Sequence, residues 1–150
     1  MSIMALQLTA ETIGPAILAD ENVLFNTVQF DSRDISYNPA TGEITLSSPG
    51  RYIVHWRVIL QSTVPPAGAL FVLVSDDGTT QIGNSSIKTG QVSGFGIFEV
   101  TDPDQPIILS LRNINNGTLY LAGTTPIQAS LLITSDLLPI HLPLPRGLMF

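Results

Sequence analysis

Short apolar stretches recur along the whole chain, and turns rich in glycine, proline, asparagine and aspartate separate them. No segment shows the helical period of 3.6 residues, whereas several stretches alternate apolar and polar residues as strands do. About ten strands in about 130 residues is the density of a jelly roll, so we expect an all-β fold of two antiparallel sheets in one domain. The predicted strands are Ala5–Thr9, Ala16–Leu18, Val23–Phe30, Glu43–Leu46, Tyr52–Gln61, Ala69–Ser75, Thr79–Ser85, Gly94–Val100, Pro106–Asn113, Thr118–Ala122 and Gln128–Thr134.

Turn residues support the boundaries of these strands. Asp77-Gly78 and Asn116-Gly117 are dipeptides that favour tight hairpins. Pro103 cannot donate to a sheet ladder, so Thr101–Asp104 is expected to be a turn. Two adjacent prolines make Val64–Gly68 a loop.

The long strand predicted at Tyr52–Gln61 presents two different faces. One is uniformly apolar, as a core face is, and consists of Tyr52, Val54, Trp56, Val58 and Leu60. The other mixes isoleucines with a histidine and two arginines, in the order Arg51, Ile53, His55, Arg57 and Ile59. A solvent face rarely carries so many large apolar groups, and a core face rarely carries charges. A half-buried subunit interface fits both observations.

The chain carries few charges. Charged residues are 12% of its 150 residues, against roughly 25% in an average soluble domain. Together with a mean hydropathy of +0.33, this favours a surface partly covered by other subunits. The alternative is an uncharged Ser/Thr/Asn surface on an extracellular or particle-bound protein. A net charge of −6, with Lys88 as the one lysine, argues against nucleic acid and anionic membranes as partners.

Residue patterns that mark catalysis are missing from the sequence. There is no cysteine, which excludes disulfides and thiolate chemistry. Neither a Gly-x-Ser-x-Gly elbow nor a phosphate-binding glycine loop occurs. We therefore expect no enzyme and no cofactor, although a carboxylate pair of the glycosidase kind stays open. We also expect neither a secretion signal nor membrane insertion, since no apolar run approaches the roughly 18 residues of a membrane span.

Two sets of side chains are candidates for binding ions or protons. Asp76, Asp77, Asp102 and Asp104 belong either to ordinary acidic turns or to a calcium site, which needs about six oxygen ligands. His55 is either a neutral histidine bonded within an interface or a group whose protonation loosens that interface. Zinc would require symmetry copies of His55 to meet, so we expect no metal site.

The C-terminal segment LLPIHLPLPRGLMF differs from the rest of the chain. Its three prolines block both helix and central strand, and its other residues are mostly apolar. We therefore divide the chain into a domain at 1–136 and a tail at 137–150. Because an exposed apolar peptide would promote aggregation, the tail is expected to be either a strap across its own subunit or trimer, or a docking peptide for a neighbour.

Six motifs follow one another in an order that resembles a known family. They are VLFNTVQFD, the turn YNPATG, PGRY before the long aromatic strand, SGFGIFEVTDPD, TLYLAG and the closing IQASLLI. This order resembles the trimeric jelly roll shared by the globular head of complement's first component and the tumour-necrosis-factor (TNF) ligands. The resemblance covers roughly Val23 to Ser135. The closing ASLLI and the cysteine-free, Ser/Thr-rich composition are most similar to the heads of BclA-type collagen-like glycoproteins on bacterial spores.

The resemblance implies a homotrimer, because in the family the mixed face of the long strand looks onto a threefold axis. The residues expected at the trimer interface are Ile53, His55, Arg57, Ile59, Phe95 and Tyr120. Two features depart from the family. No Gly-X-Y stem precedes the domain, so either a stem was removed or the chain trimerises without one. The tail also extends beyond the usual last strand.

The sequence thus predicts a non-enzymatic trimerisation and display head of a collagen-like or fibre-tip protein on a spore (exosporium) or cell surface. Partners would be a surface fibre, a spore-coat protein, or a host receptor or glycan. The expected display loops hold Pro65, Pro66, Asp76, Asp77, Asp102 and Asp104. The alternatives are a carbohydrate-binding lectin and a viral capsid or fibre protein. The lectin is less favoured because Trp56, the one tryptophan, lies on the predicted core face.

Overall fold

The computed structural model describes residues 5–11, 16–32, 34–60, 69–78, 80–84, 90–115, 117–122 and 126–136. In these residues the chain forms twelve strands and no helix. The strands are β1 (Ala5–Glu11), β2 (Ala16–Ile17), β3 (Thr27–Asp31), β4 (Ile35–Asn38), β5 (Glu43–Leu46), β6 (Gly50–Ile59), β7 (Leu70–Ser75), β8 (Thr80–Asn84), β9 (Gln91–Val100), β10 (Ile107–Asn113), β11 (Leu119–Tyr120) and β12 (Ile127–Asp136).

Ten of these strands form two five-stranded sheets. The front sheet has the order β3-β1-β12-β6-β9, and the back sheet has the order β4-β5-β10-β7-β8. All strand pairs within the two sheets are antiparallel. A short ribbon of β2 and β11 completes the structure. The predicted all-β sandwich of two antiparallel sheets is therefore confirmed.

The core lies where the two sheets contribute side chains to one buried cluster. The apolar face of β6 points into it, as its alternation predicts: the buried residues are Tyr52, Val54, Trp56, Val58 and, just past the strand, Leu60. The Trp56 indole meets the Phe71 ring of the back sheet edge-to-face, with 6.1 Å between centroids. Contacts of this kind connect the two sheets.

Strand β4 is not predicted by the sequence pattern. The motif YNPATG places Tyr37 at the start of a turn, but in the structure Tyr37 pairs with Ile44 in the β4–β5 hairpin. The turn itself runs from Asn38 to Gly42, whose N–H donates to the Asn38 carbonyl at 2.8 Å. Gly42 has a φ of 80°, a region that favours glycine. The strand was missed because a four-residue strand depends on its partner more than on its own pattern.

The strand predicted to begin at Val23 begins instead at Thr27. Val23 and Phe25 are buried, which explains the apolar pattern, but their backbones are satisfied outside any strand. The Val23 N–H donates to the Leu111 carbonyl at 2.7 Å, and the Phe25 N–H donates to the Tyr37 hydroxyl at 2.6 Å. A coil segment whose side chains are buried can therefore show the apolar pattern of a strand without pairing in a sheet.

Several expectations fall on residues outside the described ranges. They include the loop Val64–Gly68 with Pro65 and Pro66, and the tail at 137–150. Within the described ranges, no helix is long and apolar enough to cross a membrane.

Candidate functional site

The outer face of the front sheet is built by the register of its strands. Residues directly opposite one another in antiparallel strands project from the same side, so each set of partners forms a row across the sheet. The central row is Phe30, Gln7, Leu132, His55 and Phe95. The apolar row beside it is Ala5, Thr134, Ile53 and Ile97. The hydroxyl row on the other side is Thr27, Thr9, Ser130, Arg57 and Ser93.

Large apolar side chains on this face are exposed to solvent. Phe95 is 70% exposed and Ile97 is 59% exposed, both on the edge strand β9. Phe30 is 54% exposed and Leu132 is 40% exposed on the same face. Four such groups on one side of one sheet are more exposed apolar surface than scattered single residues give, and such surface marks interaction sites in soluble proteins.

Of the two arginines on this face, one forms an ion pair with a described residue and the other does not. At one end, the Arg51 guanidinium forms an ion pair with Glu99, with 3.1 Å between Nε and Oε2. The imidazole of His55 stacks on the Phe95 ring, with 6.0 Å between centroids and 30° between planes. Arg57 lies at the other end of the face and forms no ion pair with any described residue.

The structure places the predicted interface residues on or beside this face. Ile53, His55, Arg57 and Ile59 alternate along the outer side of β6, and Phe95 lies beside His55 on β9. Tyr120 lies past the end of β6. Leu121 pairs with buried Leu60 there, so alternation directs Tyr120 to the outer side.

Three large apolar residues of the face were missed from the sequence: Phe30, Ile97 and Leu132. Ile97 follows Phe95 by two positions, so alternation along β9 already indicated it. Leu132 and Phe30 could be found only from the register, which places them opposite the two sides of Gln7.

Two of the predicted display loops meet at the end of the molecule near Glu99. Asp76 and Asp77 line a cavity of about 270 Å³ with residues 99–101 and 105–107. The Asp76 carboxylate accepts a hydrogen bond from the Ile108 N–H at 2.9 Å, and the Asp77 carboxylate accepts one from the Ser75 hydroxyl. These aspartates therefore also shape the loop that carries them.

Asp102 and Asp104 lie in the neighbouring connection between β9 and β10. The Asp102 carboxylate accepts a hydrogen bond from the Asp104 N–H at 2.9 Å, which closes a tight turn. In the described part of the chain, no three acidic or histidine side chains are grouped so that they could hold a metal ion.

Two tyrosines, one buried and one partly buried, have a raised pKa. Burial is the main cause that raises the pKa of Tyr37, whose hydroxyl donates to the Phe25 carbonyl at 3.1 Å. Burial first, and then the negative charge of Asp34, raises the pKa of Tyr52 to about 12. The Tyr52 hydroxyl donates to the Ser48 carbonyl at 2.5 Å. Both tyrosines thus hold connecting segments onto the sheets.

The structure also has a groove that the sequence did not indicate. It encloses about 610 Å³ between residues 16–26 and the β4–β5 turn at residues 39–41. Leu24 is exposed along it. The Glu21 carboxylate in its wall accepts a hydrogen bond from the Leu18 N–H at 2.8 Å.

The sequence matches no protein-family model and no curated protein. The fold is similar to solved structures of murine APRIL, a TNF-family jelly roll. With the APRIL structure at pH 8.5 the TM-score is 0.61 at 12% identity, covering 89% of this chain and 99% of that chain. The structures at pH 8.0 and pH 5.0 give TM-scores of 0.58 and 0.57 at 13% and 12% identity, with the same coverage. The chain therefore has a TNF-like jelly-roll fold, as predicted.

Proposed function

We propose that this chain is a non-enzymatic homotrimeric binding head whose front sheet packs against neighbouring copies of the chain. The observation that carries the proposal is the exposed apolar face of the front sheet, with Phe95 and Ile97 at its edge. Leaving such groups in water forgoes roughly 25 cal/mol for each Å² that a partner would cover.

A second and third copy of the chain are the partners that fit best. The same face combines apolar side chains with His55 and two arginines, as the half-buried interfaces of oligomers do. Identical chains that meet through two different patches close into a ring when the rotation allows it. The TNF-like fold and the trimeric families that the sequence resembles support three copies.

Binding would be carried by loops at the Glu99 end of the molecule. The loops with Asp76 and Asp77 and with Asp102 and Asp104 adjoin one another there. Three copies around one axis present these loops three times, so weak individual contacts add as avidity. The loop with Pro65 and Pro66 remains a candidate on the sequence alone.

The proposed setting is a bacterial spore or cell surface, as the tip of a collagen-like or fibre protein. Its support is the BclA-like closing strand and the absence of cysteine. A fibre, a spore-coat protein, or a host receptor or glycan would be the partner. A lectin with a tryptophan platform is less favoured, because Trp56 is 3% exposed.

The absence of catalysis is also part of the proposal. Burial raises the pKa of both Tyr37 and Tyr52. Both hydroxyls are engaged in hydrogen bonds to backbone groups, which suits a structural role.

The experiment that tests the interface is the solution mass of a matched pair of variants. Ile97→Asp places a charge at the apolar face, and Leu24→Asp places one at a residue that is 42% exposed beside the β4–β5 turn of the back sheet. The proposal predicts that Ile97→Asp yields folded monomers while Leu24→Asp keeps the mass of the unmodified protein. Equal masses for all three proteins would contradict it.

A further inference from the structure

Arg57 lies in a part of the front face where every described neighbour in its row is a neutral hydroxyl. Ser130 of β12 and Ser93 of β9 are directly opposite it, and Thr9 follows on the next strand. The other arginine of the face, Arg51, already has a carboxylate partner and lies about 20 Å away along the strand. Arg57 is thus a cation that the described residues leave without a counter-charge.

A carboxylate on β1, outside this row, is directed away from Arg57. Glu11 lies in β1, two strands from Arg57. Its Oε2 accepts a hydrogen bond from the Thr27 hydroxyl of β3 at 2.9 Å, on the side of β1 that faces away from β6. The Arg57 guanidinium therefore keeps donors free for another acceptor.

A recess of about 340 Å³ opens beside Arg57 on the outer face. The lining residues with polar donor side chains are Arg57, His55, Gln7 and Ser130. Each of these side chains can donate a hydrogen bond, and no lining residue carries a carboxylate. Leu132 forms an apolar wall.

We propose that this recess binds an oxyanion group, of the carboxylate, phosphate or sulfate kind. Guanidinium groups bind such groups through two parallel hydrogen bonds, and the amide and hydroxyl supply further donors. The chain as a whole is acidic, with a net charge of −6. The recess is therefore a local exception that attracts what most of the surface repels.

The oxyanion has a role in assembly, and this step rests on the proposed trimer. When a copy covers the face, Arg57 loses water, and an unpaired buried cation is strongly destabilising. An oxyanion in the recess removes that penalty. It comes either from a carboxylate side chain of the neighbouring copy or from a free anion held between copies.

The experiment compares inorganic phosphate with chloride at equal ionic strength. It measures melting temperature and solution mass for the unmodified protein, Arg57→Gln, and the matched control Arg51→Gln on the same strand. If a free oxyanion binds, phosphate should raise the melting temperature in a saturable way. The apparent affinity for phosphate should fall about tenfold or more in Arg57→Gln and be unchanged in Arg51→Gln. No phosphate effect, with a trimer that dissociates about tenfold more readily in Arg57→Gln alone, identifies a carboxylate of the neighbouring copy.

The inference is overturned if Arg57→Gln assembles and melts like the unmodified protein in both salts. Its failure can be distinguished from failure of the trimer proposal. If the protein is a monomer, the trimer proposal fails, and the recess is tested by the NMR resonances of the His55 ring. A phosphate-dependent shift that Arg57→Gln abolishes supports the site, whereas resonances that ignore phosphate overturn it.

Discussion

Gly94 lies directly opposite Trp56 in the β6–β9 pair, and the indole packs over its backbone. A Cβ on Gly94 would lie 2.7 Å from the indole Cζ2. The glycine in SGFGIF thus makes room for the core tryptophan, one residue before the exposed Phe95. Neighbouring positions of β9 therefore serve opposite faces of the sheet: Gly94 accommodates the core tryptophan, and Phe95 lies on the outer face.

The first prediction follows from this contact. Gly94→Ala should destabilise the protein by about 1–3 kcal/mol, because the added methyl group forces Trp56 out of its packing position. Urea unfolding measures the change. Gly117→Ala is the matched control, since a Cβ there meets nothing within 4 Å.

A double-mutant cycle tests the cause of that loss. Trp56→Phe removes the indole atoms that approach Gly94, and its own loss of packing is measured separately. Gly94→Ala should then be less destabilising in the Trp56→Phe background than alone. An equal loss in both backgrounds would mean that the indole contact is not what requires glycine.

The second prediction concerns Asp76 as a clamp, meaning a residue that holds its own loop to β10. Its N–H donates to the Ile108 carbonyl at 3.0 Å, and its carboxylate accepts from the Ile108 N–H. Asp76→Ala should lower the free energy of unfolding by about 1 kcal/mol, because one exposed charge-assisted bond is lost. Asp104→Ala, which leaves the bond from the Asp104 N–H to the Asp102 carboxylate intact, should change it by less than about half of that. Equal effects would remove the clamp assignment.

The third prediction is a loss of stability in alkaline solution. Tyr52 has its pKa raised from 10.0 to about 12 in the folded protein. The folded state therefore holds this proton more tightly than the unfolded state. The resulting stabilisation is fully present below pH 10 and is lost as the pH rises from 10 towards 12.

Tyr52→Phe tests this prediction, because phenylalanine cannot ionise. The variant should be less stable at neutral pH by about 1 kcal/mol, from the lost bond to Ser48, and its stability should fall less steeply above pH 10. Tyr37, whose pKa is also raised, contributes a remaining slope of the same sign. Parallel curves for the two proteins across that range would contradict the assignment to Tyr52.

The fourth prediction probes the interface without charge. The chain has no cysteine, so a single introduced thiol reports on one site. Phe95→Cys should react with a thiol reagent about tenfold or more slowly than Leu24→Cys, because the front face is covered by a neighbouring copy. Similar rates at the two positions, both exposed in the single chain, would show an uncovered face.

The sequence predicts the two faces of β6 well because alternation alone decides them. Trp56 and Val58 face the core, and Ile53 and Arg57 face outwards. The same reasoning could not place Phe30 in one row with His55, since that requires the register of three strand pairs. Register depends on long-range pairing, which a local pattern does not state.

Short elements were harder to predict than long ones. The four residues of β4 resemble the start of a turn, and only pairing with β5 makes them a strand. The opposite error occurs at Val23 and Phe25, which were expected in a strand but lie in coil. Buried coil carries the same apolar pattern as a strand. The hydrogen bonds that distinguish these cases join residues distant in sequence, such as Val23 and Leu111.

The proposed trimer is tested by the solution mass of the unmodified protein, measured by light scattering at neutral pH over a range of concentrations. We expect about 48 kDa, three times the 16.1 kDa of one chain. A mass of 16.1 kDa at every concentration would contradict the trimer and leave the apolar front face without its proposed partner. A much larger particle would also contradict it and favour a capsid or fibre protein.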